Sequence, residues 1–378
     1  MPSLRVHSDI DDIPADQWDR LVGEGSPFLE HAWLSLLERS GSASPETGWH
    51  PQHLSLWEED QLVAACPVYI KTHSMGEFVY DWSWANAARQ LGERYYPKVV
   101  VGVPFTPVTG QRLLVAREEL RPVLVRALLE LARVTESAGL HILFNPESEA
   151  RSLEAEGGAS RLQFQFHWRN HGYSDFEDFL SGFRSKRRSE FRRERRRLRE
   201  TGVELVRVSG AEIQPEQLRA MEDFYRNTCW QFGGNSYLRP ELWDALLERF
   251  GHRLQLVLAY DHGEPIAGAL NVQKGSRLYG RYWGCSQERP YLHFEVCYYQ
   301  AIEHCIASGL EVFEPGHGGG HKYPRGFQPT LTWSSHWLRS PRLEGPVLDF
   351  LERERAAVRE QAEQLREQAE LGRGKSRS

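Results

Sequence analysis

Leu278-Tyr-Gly-Arg-Tyr-Trp-Gly-Cys-Ser286 leads through Tyr291-Leu-His-Phe-Glu-Val-Cys-Tyr-Tyr-Gln300 to Phe313-Glu-Pro-Gly-His-Gly-Gly-Gly-His-Lys-Tyr-Pro-Arg325. The three stretches read as a strand, a helix and a second strand that ends in a glycine-rich loop carrying two His, a Lys and an Arg. Such an order puts chemistry at strand ends. Where a strand opens into a helix amino terminus, free backbone N–H groups and a partial positive charge can cradle a diphosphate or a carbonyl oxygen.

Outward from that core, the pattern of elements occurs twice. In the first half, His53–Trp57 and Leu62–Lys71 form a hairpin around the acidic turn Glu58–Gln61, the spacing predicts a helix over Glu118–Ala138 with Gly139 as its cap, and a buried strand follows at His141–Asn145. Prolines in Lys98–Gly110 predict an edge strand or a loop over a cleft. In the second half, Leu254–Tyr260 and Ile266–Gln273 flank the turn Asp261–Glu264, a helix spans Phe294–Ser308 up to Gly309, and Leu310–Glu314 closes the unit. Between the halves, Arg184–Arg199 holds ten basic and two acidic residues in a chain of net charge −6. With Phe179, Phe183, Phe191 and Leu198 on one face, Phe179–Arg199 reads as a single basic helix, either a solvated one with packed stems or a wall for phosphates or RNA. Glu344–Leu371 is a charged helix with Leu351, Val358 and Leu365 in heptad spacing, which suggests a paired helix and a homodimer.

At 378 residues, 40% of them hydrophobic, the chain suits two domains of roughly 150–200 residues. The expected boundaries are an N-terminal domain at 1–170, a connector at 171–202, a C-terminal domain at 203–343 and a helix with tail at 344–378. No apolar run of about 18 residues is present to span a bilayer, and the N terminus lacks a signal-peptide pattern, so a cytoplasmic protein is expected. Five scattered cysteines form no C-x-x-C pair, and three glycines between His317 and His321 forbid the helical spacing a zinc pair needs; no metal is expected. Walker loops, Ser-His-Asp orders and paired-carboxylate glycosidase signatures are absent as well.

Several motifs occur in an order that is similar to the bacterial FemAB-like group of the GNAT acyltransferase superfamily: Ser26-Pro-Phe-Leu-Glu-His-Ala-Trp-Leu, Tyr80-Asp-Trp-Ser-Trp-Ala, Tyr95-Tyr-Pro-Lys, Val103-Pro-Phe-Thr-Pro-Val-Thr-Gly, Leu278-Tyr-Gly-Arg-Tyr-Trp-Gly-Cys, His293-Phe-Glu-Val-Cys-Tyr-Tyr-Gln, His321-Lys-x-x-Arg-Gly-Phe and Ser335-His-Trp. The resemblance runs from Pro27 to Glu354. It implies tandem GNAT-like domains of mixed α/β sheet flanked by helices, and transfer of an acyl or aminoacyl group to an amine. The glycines of the GNAT diphosphate loop are missing from Ser286–Glu295, and the related Fem transferases use aminoacyl-tRNA, so acyl-CoA and aminoacyl-tRNA both stand as donors. A non-catalytic module that binds a peptide or a peptidoglycan precursor is the alternative from another class.

Acyl transfer to an amine needs a polarised carbonyl, a proton acceptor and a place for the leaving group. Glu295, in the first turn of its helix, is the expected base, with Glu314 and Tyr299 as further catalytic candidates. Arg281, Trp283, His317, His321, Lys322 and Arg325 are expected to bind substrate around the glycine-rich loop, together with Trp82 and Trp84 of the Trp-rich segment. Cys285, Ser286 and His293 would meet a thioester donor, and Arg187 and Arg188 a tRNA.

Overall fold

The computed structural model describes residues 2–234 and 236–372. In chain order its strands are β1 (Ser3–His7), β2 (Trp49–Pro51), β3 (His53–Glu58), β4 (Gln61–Cys66), β5 (Val68–Lys71), β6 (Lys98–Val101), β7 (Leu114–Val115) and β8 (Gly139–Asn145). They continue as β9 (Ala159–Arg169), β10 (Glu204–Ser209), β11 (Leu254–Asp261), β12 (Glu264–Lys274), β13 (Arg277–Cys285), β14 (Val312–Glu314) and β15 (Gln328–Leu338). The helices are α1 (Ala15–Val22), α2 (His31–Arg39), α3 (Trp82–Gln90), α4 (Arg121–Val134), α5 (Glu147–Ala155) and α6 (Phe176–Ser181). After them come α7 (Ser185–Arg199), α8 (Pro215–Gln231), α9 (Pro240–Phe250), α10 (Leu292–Phe294), a π turn at Glu295–Tyr299, α11 (Gln300–Ala307) and α12 (Pro341–Gly372).

The chain forms two compact units. The first takes residues 1–164, 237–242 and 331–359, so the last strand and the start of α12 join the amino-terminal elements. Its strands run β1-β3-β4-β7 in one sheet and β15-β8-β6-β5-β2 in another, with β6 and β8 parallel across α4. β6 is paired on both sides, by β5 and by β8, and is therefore an interior strand and not an edge, while the proline-bearing residues after Val101 form a loop, the other expectation. It stops at Val101, before Pro104, so no ladder donor is lost. Gly139 opens β8, and α4 ends five residues earlier at Val134.

In the second unit the order is β10-β11-β12-β13-β14-β9, antiparallel except for β13 beside β14. Both units thus contain a hairpin with an acidic turn, a helix and a strand, the order the sequence predicted, and in each unit the structure adds a parallel pair joined across a helix. Side chains alternate across β12. Ala267 and Ala269 pack with Leu292, Val296 and Leu198 on one face. Gly268 and Gly284, directly paired between β12 and β13, face α8 on the other. A Cβ at Gly284 would lie 1.8 Å from the Phe224 carbonyl oxygen, and one at Gly268 3.0 Å from the Met221 sulfur. The glycine pair is the seat for α8.

The basic segment is two helices rather than one, broken at Gly182–Arg184 between α6 and α7. Phe191 and Leu198 anchor α7, while Arg184, Lys186, Arg192, Arg193, Arg196, Arg197 and Arg199 are exposed. In α12 the heptad position Leu351 is fully buried against Trp84 and Val347, and Val358 packs on the cluster of Leu162 and Trp333. These two positions are used within their own unit.

The first unit also buries an ionic cluster. Lys98, fully buried, donates to Glu77 at 2.7 Å, to Ser74 at 2.8 Å and to Asp81, which also accepts from Tyr95. Burial works against both carboxylates, yet Lys98 holds Asp81 down at about 2, whereas Glu77 is pushed up to about 7. Trp84 lies in this core beside His336, 5.0 Å between rings, and Trp82 is half exposed.

Two stability outcomes follow. Lys98→Met leaves two buried carboxylates unpaired and should cost about 3–5 kcal/mol in urea unfolding, with part recovered in Lys98→Met/Glu77→Gln/Asp81→Asn. Gly284→Ala should destabilise by about 1–3 kcal/mol or more through overpacking against α8, whereas Ala at the unconfined Gly320 should change little.

Candidate active site

The parallel ladder between β13 and β14 covers only Arg277–Tyr279 with Val312–Glu314. Beyond it the strands separate, and a cavity of about 530 Å³ opens between Gly280–Cys285 and Pro315–Gly319. The register of β12 and β13 shifts here: Leu270 faces Tyr282 and Asn271 faces Gly280, which makes Arg281 the extra, bulged residue. A bulge re-aims its side chain, and Arg281 lines the cavity. The chain then crosses through α10, whose Leu292 and His293 also line it, and returns through the glycine-rich loop.

Positive φ at Gly316, Gly318 and Gly319 lets this loop fold tightly, and a Cβ at Gly319 would press on the His321 ring at 2.8 Å. The turn presents Lys322 and His321. Lys322 is 2% exposed, and its Nζ donates to the carbonyls of Gly316 at 2.7 Å and His317 at 3.4 Å. Burial lowers its pKa to about 8, with the Cys297 thiol pulling weakly the other way. His321 shares a 2.8 Å hydrogen bond with the Tyr298 hydroxyl. Burial, then Lys322 and Arg325, lower its pKa, so the ring is neutral near pH 7. His293, whose ring lies tilted 5.0 Å from that of Trp283, is lowered to about 4 by burial and then by His321, Lys322 and Arg325.

Of the expected site residues, Arg281, Trp283, Cys285, His293, His317, His321 and Lys322 meet in this cavity. Glu295, the expected base, does not line it. Its carboxylate receives Arg195 through Nε at 3.0 Å and Nη2 at 2.8 Å, and Gln300 at 2.8 Å. The helix begins at Leu292, two residues before the predicted start, which turns Glu295 toward α7. Glu314 is buried with Arg277 at 2.9 Å and His167 at 3.7 Å. Tyr299 donates to Glu194 and accepts from Arg325 at 3.0 Å. Arg325 stacks 3.4 Å from the Phe294 ring, pairs with Glu194 and donates to the His321 carbonyl at 2.9 Å. Its role in this geometry is to pin the loop. Ser286 hydrogen-bonds to Ile266, Arg187 pairs with Glu190, and Arg188 caps the Phe183 carbonyl, none of them on the cavity. Trp82 and Trp84 belong to the first unit.

Of Tyr282 and Trp283 the sequence placed one in the core and one on the cleft, whereas both line it; Cys297, Tyr298, Asn271 and Phe232, also in the walls, were missed. For Tyr298 the cause is the π turn: its wider winding moves the ring off the face that a 3.6-residue period assigns. Among the described residues no group of three or more His, Cys, Asp or Glu could hold a metal ion, and no helix is long and apolar enough to cross a membrane.

Similar architectures occur in solved structures. FemX matches with a TM-score of 0.54 at 13% identity, covering 89% of this chain and 98% of that one. The C-terminal domain of a putative lysylphosphatidylglycerol synthetase from Agrobacterium fabrum matches with 0.57 at 10% identity, covering 89% and 95%. L-PGS from Bacillus licheniformis matches with 0.50 at 11% identity, covering 85% and 95%. At these identities the likeness is one of fold. No curated protein matches the chain. Residues 9–372 match the family described as peptidoglycan biosynthesis/recognition, and the chain belongs to that FemAB-like family.

Proposed function

We propose that the chain transfers an acyl group from an activated ester or thioester to an amine, in the cavity where β13 and β14 part. The observation that carries this reading is the side-by-side pair of a buried cationic Lys322 and a neutral His321 held by Tyr298. The two groups suit opposite halves of the reaction. The acceptor amine attacks the acyl carbon, and the oxyanion that forms takes a hydrogen bond from the Lys322 ammonium, two of whose three donors are already fixed by carbonyls. His321 accepts the amine proton and returns one to the leaving group. One amide bond forms, one C–O or C–S bond breaks, and no redox partner enters.

Arg281, re-aimed by the bulge, and the aromatic walls hold the donor. Glu295 in this reading anchors Arg195 and so α7, without touching the reacting atoms. The exposed arginines of α7 favour tRNA as the carrier of the donor, a second reading that a steep loss of binding with salt would support. Peptidoglycan precursors, named in the family description, are the acceptors to try first.

Because Lys322 acts as a cation with a pKa of about 8, kcat/KM should fall as pH rises through that value. Lys322→Arg should shift this alkaline limb upward, and Lys322→Met should lower kcat by about 10²–10³-fold. Wild-type turnover in Lys322→Met would overturn the assignment. Precursor binding without turnover by any donor would instead favour the non-catalytic module. Glu295→Gln should cost about 1–3 kcal/mol of stability and leave kcat within a few-fold; a loss of about 10²-fold at unchanged stability would make Glu295 the base after all.

A further inference from the structure

We propose, on the transferase reading above, that the acyl group accepted by this cavity carries no free α-ammonium: its donor is a simple acyl or an N-acylated aminoacyl ester or thioester, and a bare aminoacyl donor is rejected. The argument begins with the charges of the wall. Among the described lining residues the bases are Arg281, Arg289 and Lys322, and the one acid is Glu288, which is exposed. Arg289 already has a counter-ion in Asp261 at 2.9 Å.

Lys322 has none among the described residues. Its ammonium is buried against the carbonyls of Gly316 and His317, with the Cys297 thiol as the ionisable group nearest in effect. A buried cation without a carboxylate draws negative charge and repels positive charge. An α-ammonium sits two bonds from the acyl carbon, so a carbonyl placed to receive the Lys322 hydrogen bond brings any such ammonium within a few ångströms of a like charge. The carbonyls of Gly316 and His317 already accept from Lys322.

Asn271, whose Nδ2 donates to Gln255, and the His321–Tyr298 pair are neutral and offer an ammonium no counter-charge. The rest of the wall, Phe232, Tyr282, Trp283 and Leu292, offers apolar surface to the body of an acyl chain. A neutral acyl group loses little water here, and an N-acyl group replaces the ammonium with a neutral amide. The buried environment that leaves Lys322 without a partner is thus also a filter on the donor.

The test uses stable amide analogues on the full chain. Propionyl, N-acetylalanyl and alanyl groups are each attached through an amide to pantetheine amine and to 3′-aminoadenosine, and dissociation constants are measured by calorimetry at pH 7 and pH 9.5. On whichever carrier binds, the propionyl and N-acetylalanyl compounds should bind about tenfold or more tightly than the alanyl compound at pH 7. The gap should close at pH 9.5, where the alanyl amine and Lys322 are neutral, and should narrow in Arg281→Glu. The carrier that binds distinguishes a thioester from a nucleotide-ester donor. Equal or tighter binding of the alanyl compound at pH 7 overturns the inference while leaving the transferase reading in place. No binding by any compound on either carrier overturns the donor site, and the inference with it.

Discussion

Three paired residues on β13 and three on β14 are all the hydrogen bonding that joins the two strands before they diverge, and the cavity exists because that ladder stops. A longer parallel pairing would satisfy the backbone of both strands and leave no room between them. Pro315 follows the last paired residue of β14 directly and cannot donate to a ladder. Gly280, which follows the last paired residue of β13, permits close approach of the returning chain, since a Cβ there would stand 3.2 Å from the Pro315 Cα. The bulge at Arg281 begins one residue later. Strand termination, close approach and side-chain aim are set within a few residues of each other.

Holding such an opening requires bracing on the side of the glycine-rich loop, and α7 supplies it through charge. Glu194 accepts from Arg325 and Tyr299, and Arg195 donates to Glu295 and Glu303. Adjacent residues of one helix, with opposite sign, thus reach two different anchor points. Arg325 carries the constraint on to the His321 carbonyl, beside the two side chains assigned to chemistry. Glu295, which sequence reasoning placed in catalysis, is part of this bracing, and Glu314 is held by Arg277 and His167; burial with guanidinium partners explains why both are unavailable to a substrate.

Composition and order made the architecture legible: the hairpins with acidic turns, the interposed helices and the mixed sheets of both units follow from alternation and turn residues. The cavity was half legible. Arg281, His317, His321 and Lys322 stand out because charged and glycine-rich segments at strand ends have few structural reasons to exist. Tyr298 and Cys297 did not stand out, because the π turn displaces them from the regular period, and Glu295 misled because a first-turn carboxylate looks the same in sequence whether it faces a cavity or an arginine 100 residues earlier in the chain. The edge assignment of β6 failed for a related reason: prolines just beyond a strand limit its length and say nothing about its neighbours.

The division of the chain also bears on how the protein is made. The first unit takes its closing strand and the helix against Trp84 from residues 331–359, while the whole central run 243–330 belongs to the other unit. Pairing of β8 with β15 joins residues nearly two hundred positions apart. During synthesis the sheet of the first unit therefore emerges with one flank of β8 unpaired and waits until Gln328–Leu338 has left the ribosome, an interval in which an open strand edge invites chaperones or misassociation. The second unit has no such delay in its β10-to-β14 sheet, so the half that bears the cavity can form first and the half that begins the chain is completed last.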